Sequence, residues 1–443
     1  MAVRQGPNHI STQRIRIAQL AERDPRRVLT SVHHFIDLQW MYEAYTLTRK
    51  DGAIGIDGVT AKEYQTNLNG NLQDLLERFK SGRYRAPLIK RVHIPKGDGS
   101  KTRPIGITTF EDKILQRAVV MVLEQIYEQE FHDFSYGFRP GRSQHMALSA
   151  VRNGYWKKDG YWALEVDVKG YFDNIDHKHL RGFLDQRVSD GVIRRMIDKW
   201  LRAGITESGQ VTYSDVGTPQ GGVVSPLISN IFLHHVLDKW FVEAVQPRMY
   251  GRAQLVRFAD DFLMLFSRED DARRVLRALE KRFSRYGLEI HPDKTRLVRM
   301  VPPRPGRRAG VPPERRKSLE FLGFTLYWGQ SRSGRWAVLP KTSKKRLNRC
   351  LKATSDWCRR NMHRKIRDQS KDLARKLIGH YQYYGVSFNY RALSSFYFQV
   401  RGRWKYWLSR RSGKKHLTWE SFNRKTERFP LPYPRITKSF IKT

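Results

Sequence analysis

Two short apolar runs, around 256–258 and 262–266, flank an adjacent pair of carboxylates at Asp260 and Asp261. Apolar runs this short, rich in aromatic and β-branched residues, predict two strands of a hairpin whose turn contains both aspartates. Adjacent negative charges repel each other, so such a turn either lies in water at some cost in stability or binds a cation. Aspartate is also a preferred turn residue, and this stretch alone leaves both interpretations open.

A further strand is predicted at 162–168, because apolar residues alternate there. The alternation places Asp167 on the face opposite the apolar side chains, close to the end of the strand. A carboxylate at that position contributes little to packing, which favours a functional role. The chain then continues through Phe172 into a helix that we expect Asp176 to cap.

Apolar residues at helical spacing predict helices along much of the remaining chain. The first residues, to about 25, are polar and rich in arginine, so we expect them to be poorly ordered in the absence of a partner. Ser225 is expected to cap the helix that begins at Pro226. The predicted helices span 25–48, 64–79, 111–131, 226–240 and 270–286.

A basic hairpin is predicted at 90–107, with its turn at 97–99. Lys101 and Arg103 are two residues apart on the second strand, so their side chains leave the same face. Two cations on one face suit a triphosphate, but they also suit a solvated edge that resists strand aggregation. This stretch alone does not decide between the two interpretations.

Two glycine-rich loops contain polar side chains that suit nucleic acid. In the loop at 135–143, Arg139 and Arg142 lie among glycines and aromatic residues, a pattern typical of contacts to phosphates and stacked bases. In the loop at 217–226, Gln220 precedes Gly221 and a second glycine, which let a flat group approach the backbone closely. A plain helix-entry loop is the alternative for this second loop, but it explains neither the glutamine nor both glycines.

The charge of the chain indicates a polyanionic partner. Lys and Arg total 83 against 43 Asp and Glu, and the net charge of +40 repels itself unless a polyanion neutralises it. No apolar run is long enough to cross a bilayer, and the first residues lack the apolar core of a signal peptide. We therefore expect a nucleic-acid partner, not a membrane, and a location in the cytoplasm or at the nucleoid.

The region after Ser343 combines basic residues with aromatic clusters. Most of the aromatic side chains are expected to pack in a core, by their helical spacing. The basic side chains between them should nevertheless form a nucleic-acid track on one face. The candidate track residues are Arg401, Arg403, Lys405, Arg410 and Arg411.

Three carboxylates from two strands, together with a basic grip for a triphosphate, indicate nucleotidyl transfer. Two Mg²⁺ ions about 3.5–4 Å apart would activate the primer 3′-hydroxyl and stabilise the leaving pyrophosphate. Mg²⁺ prefers oxygen ligands and keeps several waters, so carboxylates and phosphates suffice to bind it, with Mn²⁺ as a substitute.

Seven short motifs occur in the order in which they occur in group II intron reverse transcriptases, and the chain resembles that family. Each motif alone is a weak signal, whereas all of them in this order are specific. The similarity extends from about 52 to 328, and the basic helices beyond resemble the family's maturase domain. The motifs are Lys101-Thr102-Arg103-Pro104, Tyr136-Gly137-Phe138-Arg139, Asp167 with Phe172, Pro219-Gln220-Gly221-Gly222, Phe258-Ala259-Asp260-Asp261, His291-Pro292-Asp293-Lys294-Thr295 and Phe321-Leu322-Gly323-Phe324.

The resemblance implies an α+β right-hand polymerase with fingers, a palm of antiparallel strands backed by helices, and an α-helical thumb. It makes Asp167, Asp260 and Asp261 the catalytic metal ligands, with Val168 beside them in the metal site. Phe258 stands where most relatives have tyrosine, which keeps the ring and loses the hydroxyl, so we expect activity to survive.

The resemblance also implies a nucleotide pocket. Lys101 and Arg103 would bind the triphosphate, and Gln220 would line the pocket for nucleotide and template. Lys294 would lie near the pyrophosphate. Phe172 would be the gate below the incoming sugar, where an aromatic ring leaves no room for a 2′-hydroxyl and so favours deoxynucleotides.

The implied domains are an N-terminal extension, the reverse transcriptase fingers and palm, a thumb or maturase domain X, and a basic C-terminal tail. The sequence after the thumb has no Cys/His zinc pattern, so the resemblance is to bacterial forms without an endonuclease. The expected ranges are 1–50, 51–328 with a loop insertion at 302–317, 329–411 and 412–443.

The implied function is an RNA-directed DNA polymerase that extends a DNA primer with dNTPs on an RNA template. Such an enzyme would also bind its group II intron RNA in splicing and retrohoming to a DNA target. One alternative is a free-standing relative that acts in DNA repair or phage defence. Another is an RNA-binding maturase without polymerase activity, but the intact aspartates speak against it, because a retired site would be free to lose them.

Overall fold

The computed structural model describes residues 8–96, 101–157, 161–218, 221–302, 317–331, 334–411 and 417–440 as a mixture of helices and small sheets. The chain divides into two compact units. The first unit comprises Met1–Ala147, Leu164–Met264 and Arg268–Arg296, and the second comprises Leu148–Ala163, Leu265–Ser267 and Leu297–Thr443. The expected combination of helices and strands is confirmed.

The helices lie in both units. None of them, in the part of the chain that the structure describes, is long and apolar enough to span a membrane. They are α1 (Asn8–Arg23), α2 (Leu38–Leu47), α3 (Ala61–Gln65), α4 (Leu68–Lys80), α5 (Phe110–Tyr127), α6 (Gln144–Lys157), α7 (His177–Asp185), α8 (Gly191–Leu201), α9 (Ser225–Leu233), α10 (Glu269–Ser284), α11 (Lys344–Asn361), α12 (Ile366–Tyr384), α13 (Tyr390–Ser409) and α14 (Trp419–Thr426).

The strands form three sheets, in the orders β2-β1-β4-β5, β6-β7-β3-β8 and β11-β10-β9. Their bounds are β1 (Ile89–Lys96), β2 (Lys101–Ile107), β3 (Trp162–Val166), β4 (Ile205–Glu207), β5 (Gln210–Thr212), β6 (Ala253–Phe258), β7 (Asp261–Phe266), β8 (Arg296–Arg299), β9 (Leu319–Phe321), β10 (Phe324–Gln330) and β11 (Trp336–Thr342).

The two strands of the predicted basic hairpin are confirmed. β1 and β2 pair antiparallel, from Lys90 opposite Ile107 to Lys96 opposite Lys101. On its other side β1 pairs with β4, and this pairing is parallel. The turn predicted at 97–99 lies outside the described residues.

Helix α5 lies at the centre of the first unit's core, and most of its side chains are buried. The indole of Trp40 donates to the carbonyl of Ala118 at 2.9 Å. The buried Asp112 carboxylate accepts from the Tyr84 hydroxyl and the Trp200 indole, and burial raises the pKa of Asp112 to about 6. Hydrogen bonds thus satisfy these buried polar groups, as a stable interior requires.

The N-terminal segment corrects the expectation of a poorly ordered arm. Residues 8–23 form α1, which contacts α5 and fully buries Ile17 and Ala21. The buried Arg187 guanidinium donates to the carbonyls of Ala21 and Arg27, at and beyond the end of the helix. A helix leaves its last carbonyls unpaired, so these bonds stabilise its C-terminal end. The apolar positions were too few among arginines and glutamines to indicate this packing.

Several predicted helices have different limits in the structure. Within the predicted 25–48 helix only α2 and a single 3-10 turn are helical. Asp37 caps α2, accepting from the backbone N–H of Trp40 at 2.8 Å. The helix predicted at 64–79 is divided into α3 and α4. The apolar spacing was too mixed in the first case, and too continuous in the second, to locate these breaks.

The segment predicted as a helix at 226–240 is helical throughout, but the regular α-helix α9 covers only its first part. α9 ends at Leu233 and is followed by two π-helical turns, His234–Asp238 and Phe241–Val245. Ser225 is the first helical residue, and Val224 occupies the N-cap position that the sequence assigned to the serine. The first π turn contains the buried Asp238, whose carboxylate binds Arg257 on β6.

The second unit contains a sheet of three strands among the described residues. β10 pairs antiparallel with β9 and with β11. Strand β11 corrects the expectation that 329–411 is entirely helical, and its residues 337–339 are buried. The chain reverses between β9 and β10 at Leu322 and Gly323, both with positive φ.

Helices α11, α12 and α13 form the remaining core of the second unit. The buried Trp404 indole donates to the side-chain oxygen of Gln369 at 2.9 Å. The segment after α14 also belongs to this core, because the Tyr381 hydroxyl donates to the Pro432 carbonyl. Most of the aromatic residues that the sequence placed in a core are buried as expected, whereas Phe398 and Tyr406 are exposed.

Candidate active site

The predicted hairpin is confirmed, but its turn is shifted by one residue and contains only the first of the two aspartates. β6 ends at Phe258, Ala259 and Asp260 form the turn, and Asp261 begins β7. The residues of β7 after Asp261 are buried, so the strand is anchored in the core while Asp261 is exposed at its tip. Ala259 has φ of 57°, a left-handed conformation that costs a residue with a Cβ roughly 1–2 kcal/mol.

A buried ion pair lies directly below this turn. The Arg257 guanidinium binds both carboxylate oxygens of Asp238, and both side chains are fully buried. The same guanidinium donates to the Asn230 side-chain oxygen at 2.9 Å and to the Ala259 carbonyl at 3.2 Å. Sequence reasoning missed these residues, because Arg257 stands in an apolar strand with its partners 19 and 27 positions away.

The loop before α6 packs against the same turn. The Tyr136 N–H donates to the Arg257 carbonyl at 2.8 Å, and the Asn230 side-chain amide donates to the Gly137 carbonyl at 2.7 Å. A Cβ built on Gly137 would lie 2.2 Å from the backbone nitrogen of Ala259. Only glycine therefore fits at this position without moving the backbone.

Asp167 directly follows β3, and its carboxylate accepts from the Lys294 ammonium at 2.6 Å. The Asp167 carbonyl accepts from the His291 N–H at 2.8 Å. The next residue, Val168, pairs antiparallel with Ile290. The segment around Lys294 thus holds the end of β3 through backbone bonds, and Lys294 lies on Asp167 itself.

β3 is the neighbour of β7 in the second sheet, so Asp167 and Asp261 belong to adjacent strands. Tyr171, four residues after Asp167, is buried and donates to the Ser229 carbonyl at 2.7 Å. Burial raises the pKa of Tyr171 far above its ordinary value, and the negative charge of Asp260 adds to this shift. Among the described residues, no three His, Cys, Asp or Glu side chains are close enough to form a ready metal cluster.

Phe172 lies in a 3-10 turn, Tyr171–Asn174, and is partly exposed. Its carbonyl accepts from the N–H of Thr218 at 2.8 Å. A Cβ on Gly217 would lie 2.9 Å from the Asp173 carbonyl oxygen. The loop that leads to α9 is therefore in close backbone contact with the predicted sugar gate.

Gly221, on the far side of the same loop, contacts strand β2. Its φ is 122°, and a Cβ there would lie 2.3 Å from the Gly106 carbonyl oxygen. A pocket of about 120 Å³ lies nearby, and its lining includes Arg91, Gly106 and Thr218. Gln220, which the resemblance places in the nucleotide pocket, lies outside the described residues, and its role stays a prediction.

The basic hairpin presents Arg103 to solvent. The side chain of Lys101 lies outside the described part of the chain, although its backbone begins β2. On the neighbouring strand, the His93 ring lies 2.6 Å from a carboxylate oxygen of Glu207. The hairpin is therefore linked to β4 through side chains as well as through its backbone.

The prediction that Arg139 contacts nucleic acid is wrong. Its guanidinium is buried, binds the Glu128 carboxylate, and donates to the carbonyls of His132 and Ser135. A guanidinium whose donors are used internally cannot also bind phosphate, so Arg139 stabilises the loop. Arg142 is more exposed and forms an ion pair with Asp133 at 2.6 Å.

The candidate track residues on α13 differ in their surroundings. Arg401 donates to the Asn423 side chain at 2.6 Å, and the Lys405 ammonium lies over the Trp419 ring. Arg410 is exposed and lies over the Tyr406 ring. Arg403 is partly exposed, and Arg411 is exposed. Their role in nucleic-acid binding stays a prediction.

Aspartates directly after β3 and at the start of the adjacent β7, in the same unit as a basic hairpin and a pocket, are the arrangement expected of a nucleotidyltransferase of the polymerase class. The family model described as reverse transcriptase (RNA-dependent DNA polymerase) matches residues 94–326, and the chain belongs to this family.

Relatives of known sequence agree with this membership. Protein YkfC of Escherichia coli is 31% identical over 74% of this chain and 91% of its own length. Group II intron-encoded protein LtrA of Lactococcus lactis is 42% identical over 39% of this chain and 28% of its own length. Nuclear intron maturase 1 of Arabidopsis thaliana is 30% identical over 21% of this chain and 13% of its own length. The match thus covers nearly all of one relative but only a minor part of the two intron-associated ones.

Proposed function

We propose that the protein copies an RNA template into DNA at Asp167, Asp260 and Asp261, and that it also binds a group II intron RNA as a maturase. The observation that supports this best is the Asp260–Asp261 turn on the strand next to β3, within the region that matches the family. In this proposal, fingers and palm span 51–328 and the thumb spans 329–411.

The donor set suits Mg²⁺. The aspartates offer only carboxylate oxygens, and Asp167 already holds a cation, the Lys294 ammonium, at 2.6 Å. Two Mg²⁺ ions, or Mn²⁺ in their place, would supply the charge that activates the primer 3′-hydroxyl and neutralises the leaving pyrophosphate. Asp260 and Asp261 approach from the hairpin turn and Asp167 from the end of β3. Lys294 would then turn from Asp167 toward the pyrophosphate.

The nucleotide would lie between the basic hairpin and the turn that contains Phe172. Arg103, with Lys101, would bind its triphosphate, while Gly221 lets its loop lie against strand β2, because the Gly106 carbonyl fills the space that a Cβ would need. The ring of Phe172 would lie below the sugar and exclude a 2′-hydroxyl. The hydrogen bond from the Thr218 N–H to the Phe172 carbonyl supports this placement, because it holds the backbone of Phe172 against a residue that lines the pocket.

Phe172→Ala should admit ribonucleotides, because it opens the space that a 2′-hydroxyl needs. We expect the preference for dNTPs over NTPs, as a ratio of kcat/KM values, to fall by roughly 10- to 200-fold. Phe172→Tyr keeps the ring and should retain the preference. Single-nucleotide incorporation kinetics measure both ratios. An unchanged ratio in the alanine variant would show that Phe172 does not exclude the 2′-hydroxyl.

RNA affinity should fall steeply as the salt concentration rises, because a protein with a net charge of +40 binds the RNA phosphates electrostatically. With roughly 6–10 phosphate contacts, affinity should fall about 10³–10⁵-fold between about 50 and 200 mM salt. Replacing the exposed Arg410 and Arg411 by glutamine should reduce the salt slope by about 1.4–1.8, since each phosphate contact accounts for roughly 0.7–0.9. Filter binding across a salt series measures these slopes.

The control for this experiment is Arg277→Gln with Arg285→Gln, which lowers the net charge equally on the exposed side of α10 and its end. It should change the slope little. Equal slopes in both double variants would show that the helical track is not a special binding surface.

The maturase role is tested separately by splicing of the candidate intron RNA at low Mg²⁺, with and without protein. Faster splicing with Asp260→Ala as well as with the wild type supports a maturase that is independent of polymerisation. If neither protein accelerates splicing although both bind the RNA tightly, the maturase role is excluded and the polymerase role is unaffected.

A further inference from the structure

A buried network connects three elements to the aspartate turn. Arg257 on β6 binds Asp238 in the π-helical turn after α9, and it also contacts the Asn230 side chain on α9. Asn230 in turn donates to the carbonyl of Gly137. The side chains of Arg257, Asp238 and Asn230 are fully buried, so the network lies wholly inside the protein.

The network ends on the backbone of the turn. One guanidinium nitrogen of Arg257 is shared between Asn230 and the carbonyl of Ala259, the residue before Asp260. Ala259 is held with positive φ, a conformation that needs support from its surroundings in a residue with a side chain. The planar fork of an arginine can bind Asp238 on one side and this carbonyl on the other, whereas a lysine ammonium cannot do both.

The two charged side chains of the network, Arg257 and Asp238, neutralise each other. His234 lies 3.9 Å from Asp238, but burial lowers the pKa of His234 far below its ordinary value, so the imidazole is neutral. Arg257 is therefore the cation that balances the buried Asp238 carboxylate. Removing Arg257 alone would leave a buried charge without a partner, which is strongly destabilising.

We infer that Arg257 is a positioning residue: its buried pair with Asp238 sets the backbone of Ala259 and so aims the Asp260 and Asp261 carboxylates at their metal ions. This inference rests on the proposed function, in which these carboxylates bind the ions. Arg257 does not touch substrate or metal in this scheme. It acts through the turn, so its replacement should lower the affinity for the metal ions before it affects other properties.

The test is Arg257→Lys, which keeps the positive charge but loses the planar guanidinium that binds Asp238 and the Ala259 carbonyl together. We expect Mn²⁺ affinity, measured by electron paramagnetic resonance without nucleotide, to fall about 10- to 100-fold, as for other residues that orient metal ligands. The Mg²⁺ concentration for half-maximal primer extension should rise by a similar factor, and activity should recover in part at high Mg²⁺. If Arg257→Lys does not fold, Arg257→Gln with Asp238→Asn removes both charges together and takes its place.

The matched control is Arg187→Lys. Arg187 is another buried arginine of the first unit; it pairs with Glu130 and donates to the Ala21 carbonyl in the last turn of α1. It should lower the thermal midpoint without changing Mn²⁺ affinity. A folded Arg257 variant with wild-type Mn²⁺ affinity would overturn the positioning role alone. If Asp260→Ala also bound Mn²⁺ and incorporated dNTPs normally, the proposed active site itself would fail.

Discussion

Asp260→Ala should lower the rate of dNTP incorporation by at least about 10³-fold, because it removes a carboxylate that fixes the catalytic ions while charge develops at the reacting phosphate. RNA affinity should stay within roughly twofold of the wild type, since binding depends on the distributed positive charge. Asp260 lies at the tip of a hairpin and is only partly buried, so the fold should survive its loss. Single-turnover primer extension, together with RNA binding by the same preparation, measures both effects.

Asp270→Ala is the control for this change, because Asp270 is an exposed aspartate in the first turn of α10. It removes one negative charge from the same unit and should leave the incorporation rate unchanged. If Asp260→Ala still extended a primer at a rate close to that of Asp270→Ala, the assignment of the metal ligands would be wrong.

Gly137→Ala should reduce incorporation by about 100-fold, because a displacement near 1 Å of a reacting group has a cost of this size. The added Cβ would lie 2.2 Å from the Ala259 nitrogen, so one of the two backbones must move. Since Ala259 precedes Asp260, the movement reaches the carboxylates. We also expect a loss of about 1–3 kcal/mol in the free energy of unfolding, as for other overpacked sites.

Gly182→Ala separates this effect from glycine replacement in general. Gly182 lies inside α7, and a Cβ there would meet nothing within 4 Å. It should be neutral or should stabilise the protein by about 0.5–1 kcal/mol, since alanine favours helix. Normal activity in a folded Gly137→Ala protein would show that the loop and the turn adapt independently. Urea unfolding and primer extension of both variants decide this.

Local patterns were sufficient to predict the site where its geometry is set by neighbours in sequence. The Asp260–Asp261 hairpin follows from two apolar runs and a two-residue turn. The helix cap at Asp176 follows from one side chain, which accepts from the His179 N–H at 2.8 Å. The hairpin of β1 and β2 follows likewise from alternation around a glycine-rich turn.

Contacts between distant residues were not accessible in the same way. Arg139 looked like a solvent-facing cation among glycines, but Glu128, eleven residues earlier, binds it in the interior. The Arg257 network joins residues that are far apart in sequence and that no periodicity relates. β11 was missed because the basic helices that follow it dominate the composition of the region.

The central claim is tested most directly by primer extension on an RNA template with Mg²⁺, comparing dNTPs with NTPs in the wild-type protein. We expect a DNA product that requires the template and Mg²⁺, with little extension from NTPs. A folded protein that binds the same RNA and primer tightly but makes no DNA product would contradict the account.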